Sequence, residues 1–485
     1  MNVRRTRGAL VGALLLAACA VGPDFHRPAP PAVQQYDAPG SQSTAPTAGD
    51  EPQQFQSGAS VPERWWEAFG SRQIDALVEQ VLTANPDIQG GQAALRAALE
   101  TAAAARGALW PGLQASYQGE RRQDSGTLSP TLNSPVPIFT LHTAQVDLSY
   151  TLDVFGGNRR TIKALVSTAE AQRFGLQATR LTLVSNAIVA VVNQAAAQAQ
   201  IAAMQHIVQE ERAALEILRQ QYAFGSVSLA TVNAQQATLL QAEAALPALE
   251  QQRAQQQHLV AVLAGRAPSQ LAPLDVELSV LTLPREVPLT LPAQLVSQRP
   301  DIRAAEAQLH AATAQVGVAQ AALLPAISLS ANSGSAAVQL SNLTGPGTRF
   351  WSLGGSLSQT LFAGGSLVHR KRAAVALMDQ AADSYRSTVL QAFRQVADVL
   401  AALQSDAATL AAQTRAESAA AQSLNIVEQN LKLGSVSGLD LIQAEHDHET
   451  AVLALVQARA ARLADTVALY QALGGGWAVT PPAAR

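Results

Sequence analysis

Glu445-His446-Asp447-His448-Glu449 gathers five side chains of the kinds that bind metal ions. The run reads as helical, and residues two apart on a helix point about 200° away from each other, so His446 and His448 cannot share one ion. No metal is expected there. The eight histidines of the sequence form no nucleophile and base pattern. Gly364-Gly365 and Gly474-Gly475-Gly476 lack the strand, helix and lysine context of a phosphate-binding loop and read as bends. No catalytic residue is assigned, and the chain is read as a non-enzyme.

The side chain with the clearest chemistry is Cys19, the single cysteine among 485 residues. It follows Leu16-Ala17-Ala18, at the end of an apolar run from Ala9 that is itself preceded by Arg4, Arg5 and Arg7. That order is the charged start and apolar middle of a secretory signal, too short to span a bilayer. Small residues before the thiol place it for lipid attachment, with cleavage leaving Cys19 as the first residue. The alternative is a free thiol closing an ordinary signal. A lipidated cysteine carries several acyl chains, and at ~0.8 kcal/mol per buried methylene such an anchor holds. The next residue is Ala20, not Asp, as in lipoproteins sorted to the outer membrane. No cofactor is expected beyond this covalent lipid, and one cysteine cannot make a disulfide framework or a thiolate metal site.

The elements that position these groups begin after residues 28–62, a Pro-, Gln-, Ser- and Gly-rich stretch that reads as an extended tether from lipid to body. The remainder reads as one unit present twice. Asn85-Pro86-Asp87-Ile88 returns as Arg299-Pro300-Asp301-Ile302, Leu109-Trp110-Pro111 as Leu323-Leu324-Pro325, and Gly225-Ser226-Val227-Ser228 as Gly434-Ser435-Val436-Ser437. The expected division is a signal over 1–18, a lipidated tether over 19–62, repeats over 63–280 and 281–476, and a tail over 477–485. Each repeat carries an opening helix stopped by Pro111 or Pro325, two strands, a long helix, a small-residue turn and a returning helix. The strands are expected at about 113–123 and 141–155, then 326–338 and 349–362. The long helices fall at about 157–223 and 367–433, and the return helices at about 228–264 and 438–473.

Ala144, Val146, Leu148, Tyr150, Leu152 and Val154 alternate with Thr143, Gln145, Asp147, Ser149, Thr151 and Asp153. That period of two suits a barrel wall between lipid and water, and also a half-buried soluble sheet. A barrel made by one bacterial chain needs at least about eight strands, and open edges cannot face hydrocarbon. Four strands therefore belong to a soluble sheet or are completed by other copies of the chain.

Neither Gly nor Pro interrupts Val368 to Lys432, and Gly157 to Tyr222 contains only Gly157 and Gly175. At 1.5 Å per residue such a run makes a rod of ~100 Å, about three times the hydrocarbon thickness, so it is expected to cross the periplasm. Val389, Val396, Leu403 and Leu410 repeat every seven residues, as do Ile162, Ala169, Leu176, Leu183 and Ala190, a spacing that packs as left-handed coils. On helices alone, a generic scaffold remains open as a reading. The formal charge of -3 becomes about -6 once Arg4, Arg5 and Arg7 are removed, which argues against a nucleic-acid partner. Charged residues make up 14% of the chain, yet no later stretch approaches 18 uninterrupted apolar residues, so transmembrane helices are not expected.

Cys19-Ala20-Val21-Gly22-Pro23-Asp24-Phe25 with Arg27-Pro28, Trp65-Trp66-Glu67-Ala68-Phe69, Leu152-Asp153-Val154-Phe155-Gly156, Arg299-Pro300-Asp301-Ile302, Leu361-Phe362-Ala363-Gly364-Gly365 and Tyr470-Gln471-Ala472-Leu473-Gly474-Gly475-Gly476-Trp477 follow one another in this order. Together they resemble the TolC-like outer-membrane efflux family, in particular its NodT-type lipoprotein branch, over nearly all of the mature chain. The resemblance implies a mixed α and β membrane protein. In it, a homotrimer forms a twelve-stranded barrel, four strands per chain, continued by an α-helical periplasmic tunnel. It implies the exit duct of an efflux pump in the Gram-negative outer membrane, linked to antibiotic resistance, with a periplasmic adaptor and an inner-membrane transporter of the resistance-nodulation-division type as partners. Small side chains at Gly225, Ser226, Val227, Gly434, Ser435 and Val436 would seat the adaptor. Family ducts are often shut by acids near the second turn, whereas Ser435-Val436-Ser437-Gly438 has none. Asp440 and Gln443 are the nearest candidates for that gate, against a plain helix-start role for Asp440. The rival function is a non-transporting envelope scaffold.

Overall fold

The computed structural model describes residues 20–29, 32, 33, 36, 53–123, 138–272 and 274–477. Cys19, the signal and the tail after Trp477 lie outside the described residues. In chain order the elements are β1 (Gln54–Ser57), α1 (Arg72–Ala84), α2 (Pro86–Arg106), β2 (Gly112–Gln123), β3 (Ile138–Leu152), α3 (Gly157–Ala223) and α4 (Leu229–Leu263). Then follow β4 (Glu286–Leu289), α5 (Pro292–Gln298), α6 (Pro300–Ala321), β5 (Ala326–Ala337), β6 (Arg349–Ser358), α7 (Ser366–Lys432) and α8 (Gly438–Ala472).

The duplication is metrical. Both long helices have 67 residues and both return helices 35. Proline at the first position and aspartate in the first turn open both α2 and α6. The residue before each proline ties its repeat shut: Asn85 Nδ2 donates to the carbonyl of Leu263 at 2.9 Å, and Arg299 Nη1 to that of Ala472 at 2.8 Å. Each acceptor is the last residue of its own return helix. The glycines just beyond, Gly265 and Gly474, hold φ of +72° and +94°. A side chain on Gly265 would lie 2.5 Å from the carbonyl oxygen of Ala84.

Three expectations need correction. The opening helix of each repeat is two helices, because Pro86 and Pro300 hold the preceding Asn85 and Arg299 in extended backbone. Pro111 and Pro325 do not themselves stop α2 and α6, which end earlier at Arg106 and Ala321 in tight turns. The last strand stops at Ser358, not near 362, because Ser358 pairs with Ala326, the first residue of β5, and Pro325 just before it has no N–H to extend the ladder. Within the stretch read as an extended tether, β1 lies parallel to β4, Phe55 opposite Val287.

The chain forms two compact units. The first comprises residues 1–28, 94–172 and 305–385 and contains the four-stranded antiparallel sheet β2-β3-β5-β6. The second comprises 29–93, 173–304 and 386–485. Its core stacks Trp65 on Tyr470 at 5.0 Å and sets Phe174 edge-on to Trp477 at 5.6 Å. Within this second unit the heptad positions Val389, Val396, Leu403 and Leu410 are buried, as are Leu176, Leu183 and Ala190. Helix α3 contains an 18-residue window long and apolar enough to cross a membrane by composition alone, half of it buried inside the chain.

Candidate functional site

Three places in the chain carry functional geometry, and the sheet is the first. Its register aligns like with like. Leu113, Leu148, Ala331 and Leu353 form one row, Tyr150, Leu329 and Gly355 another, and Leu152, Ile327 and Leu357 a third, all on one face. The opposite face reads Gln114, Asp147, Asn332 and Ser352, then Thr151, Ser328 and Ser356. Asp147 accepts from Gln145 Nε2 at 3.0 Å through both oxygens, and Ser352 Oγ donates to Asn332 Oδ1 at 2.9 Å. The apolar face is uncovered along its edge strands, where Leu113 is 72% exposed, Trp351 and Leu353 77% and Leu357 70%, while Leu148, Tyr150 and Ile327 on the central strands are half-buried. An uncovered apolar face opposite a hydrogen-bonded polar face is the pattern of a wall between lipid and water. Among the described residues, strands β2 and β6 each pair on one side only, which leaves two open edges.

The second place is the pair of turns. Gly225 and Gly434 have φ of +74° and +72°. Ser226 N donates to the Gln221 carbonyl at 2.8 Å and Ser435 N to that of Asn430 at 3.0 Å, the six-to-one bond of a Schellman cap. Ser228 and Ser437 then start the return helices, their hydroxyls accepting from Thr231 N and Asp440 N. Gly225, Ser226, Gly434 and Ser435 are exposed, while Val227 and Val436 are half-buried, and Val227 packs on the cluster of Leu215, Leu218 and Val232. Phe224 and Leu433 precede the two glycines and are 87% and 81% exposed. Residue patterns had not singled them out, although their matched position before each glycine is a readable signal.

Asp440 sits at the third helical position of α8. Its Oδ2 accepts from Ser437 N and Oγ, both at 2.7 Å, closing a capping box. The Ser437 hydroxyl, then its backbone N–H, hold this exposed carboxyl below the usual range. Gln443 Nε2 donates to Asp447 Oδ1 at 2.9 Å. The two histidines diverge: His446 Nδ1 lies 3.0 Å from Glu211 Oε1 on α3, and His448 Nε2 lies 3.3 Å from Glu417 Oε1 on α7. Glu417, which breaks the heptad of α7, thus meets a histidine. Beside this seam, burial first, then Glu449, Glu445 and Glu211, push Glu210 up to about 7.

The third place is the segment that follows Cys19, and sequence reasoning missed how it is held. Arg160, at the start of α3, donates Nε to the Val21 carbonyl at 3.1 Å, Nη2 to that of Gly22 at 3.1 Å and Nη1 to Asp24 at 2.9 Å. Val21 N donates to the Phe155 carbonyl, Phe25 stacks on His310 at 4.4 Å, and Arg27 pairs with Glu306 at 3.1 Å. A side chain on Gly22 would lie 2.4 Å from the Gly317 backbone, so only glycine lets the segment cross α6 this closely. Asp153 caps α3 by accepting from Asn158 N and Arg159 N.

The sequence profile of the outer membrane efflux protein family matches residues 77–266 and 291–475, both repeats in full order. The chain belongs to the outer membrane efflux protein family. It is 29% identical over 425 residues to the pyoverdine export outer membrane protein OpmQ of Pseudomonas aeruginosa, covering 87% of this chain and 89% of that one. It is 28% identical to nodulation protein T of Rhizobium leguminosarum bv. viciae, covering 96% and 92%. Among solved structures it resembles the outer-membrane channel OprN, with a TM-score of 0.82, 27% identity, and coverage of 95% of this chain and all of that one. As a family member with the TolC-like channel fold, the chain is an outer-membrane efflux component, an exit duct.

Proposed function

We propose that three copies of this chain close one twelve-stranded barrel, anchored by lipid on Cys19, and that small molecules leave the cell passively through it and a helical periplasmic tunnel. The observation that carries this reading is the four-stranded sheet. Its apolar rows are exposed along the edge strands, several side chains of its polar rows hydrogen-bond to one another, and among the described residues its two edges are open. A row of unpaired N–H and C=O groups is untenable in hydrocarbon. Strand β6 of one copy therefore pairs with β2 of the next until the ring closes.

The Arg160 clamp sets where the acyl chains enter the membrane, by holding Ala20 to Asp24 against the sheet end of α3. The two turns, Gly225-Ser226-Val227 and Gly434-Ser435-Val436, seat the hairpins of a periplasmic adaptor, and an inner-membrane transporter of the resistance-nodulation-division type supplies the energy. Asp440 and Gln443 hold the distal gate. OpmQ is named for pyoverdine export, and the substrates of this duct are likewise small molecules, selected upstream by its pump.

Mass measurement in detergent together with planar-bilayer recording tests the proposal. A trimer whose conductance rises on Asp440→Asn is expected, because asparagine keeps the cap acceptor and removes the charge. A monomer without conductance would favour the scaffold reading. A conducting trimer indifferent to Asp440→Asn would remove only the gate assignment.

A further inference from the structure

The membrane-facing side of the sheet changes character toward one end. The helices of the first unit join the sheet at Gly112, Leu152, Ala326 and Ser358, so Gln123, Ile138, Ala337 and Arg349 mark the opposite end. Followed that way, the row Leu113, Leu148, Ala331, Leu353 gives way to Ala115, Val146, Ser333, Trp351, and then to Tyr117, Ala144, Ser335, Arg349. Beyond these come Gly119 with His142, and Arg121 with Thr140.

Two aromatics thus border the apolar rows, and three basic side chains lie at or just past them. Trp351 is 77% exposed and Tyr117 57%, and the Tyr117 hydroxyl lies 2.8 Å from His142 Nδ1. Arg121 and Arg349 are both exposed. Glu120 and Asp147, the strand acids, have the other parity and belong to the polar face. Among the described residues neither arginine has an acidic partner.

Amphipathic aromatics settle at headgroup depth, and a guanidinium just beyond them meets lipid phosphate in a planar, two-pronged fit. If the helices lie in the periplasm, as the duct reading on which this inference rests requires, this end of the sheet lies in the outer leaflet. We propose that Arg121 and Arg349, with His142 between their levels, form a belt that binds the phosphate groups of the outer-leaflet glycolipid, lipid A. Arg121 is on β2 and Arg349 on β6, the two edge strands that ring closure sets side by side. The belt is thereby concentrated at three seams, where a bisphosphorylated headgroup bridges two copies.

Native mass spectrometry of the detergent-purified trimer, titrated with lipid A, with dephosphorylated lipid A and with phosphatidylglycerol, tests this. The wild type is expected to retain lipid A over both other lipids. Arg121→Gln with Arg349→Gln is expected to weaken lipid A binding at least about tenfold, the scale of a lost charge-assisted contact. Arg121→Lys with Arg349→Lys should keep most of the binding. Unchanged lipid A binding by the glutamine variant, or phosphatidylglycerol bound as tightly as lipid A, would overturn the inference while leaving a conducting trimer intact. A wild type that is monomeric removes the duct reading and this inference with it.

Discussion

Glu210 is a carboxyl kept at a cost by its surroundings. One of its oxygens is buried without a hydrogen-bond partner, and burial with three neighbouring glutamates raises its pKa to about 7. A folded-state value above the unfolded ~4.3 means that the folded chain binds more protons between the two. Stability from this group therefore falls as pH climbs from about 4 through 7. Glu210→Gln is expected to raise thermal stability at pH 8 by about 1 kcal/mol, after discount for solvent screening, and to leave it unchanged at pH 4. Unfolding in detergent at the two pH values checks this, and an equal shift at both would mean a packing effect. Other residues divide by how local their signal is. The matched glycines are legible because they recur, and the lipid proposed on Cys19 rests on a context of four consecutive residues. Arg160 is not, because its partners Val21, Gly22 and Asp24 lie some 136 to 139 residues away. Asp440 is ambiguous from sequence because a capping acid and a gating acid occupy the same position on a helix.

Periodicity made the larger elements readable. The alternation in β3 and the long runs free of proline leave one backbone conformation each, so both are visible without any partner. The β1 and β4 pair is invisible for the opposite reason: each strand has four residues, and Gln54 meets Glu286 across 232 positions. The two faces of the sheet predict unequal tolerance. Leu353→Arg, on the apolar face, is expected to cost roughly 2–4 kcal/mol in a bilayer, whereas Ser352→Arg, one residue away on the polar face, should be nearly neutral. Denaturant titration of protein folded into vesicles measures both, and equal costs would mean that neither face meets lipid. The turns predict a functional loss without a folding loss. Gly434 holds φ of +72°, so a glutamate there would also strain the turn, whereas Ser435 is exposed and free of that constraint. Ser435→Glu should therefore abolish drug resistance by blocking adaptor docking, with trimers still seen on gels. Undiminished resistance would relocate the docking surface, for which exposed Phe224 and Leu433 then become the first residues to test.

The sheet order sets a consequence for the molecule as a genetic object. One free edge, β2, comes from the first repeat and the other, β6, from the second, so in the proposed three-copy barrel the contact between copies is head-to-tail and every ring has three identical joints. An allele that spoils either edge, such as a proline within β6, still offers one sound edge and is recruited into mixed rings that cannot close. With equal expression only about one ring in eight escapes. Such alleles should therefore be dominant over the wild type, whereas alleles that destroy the fold outright should be recessive; drug susceptibility of merodiploid strains separates the two classes.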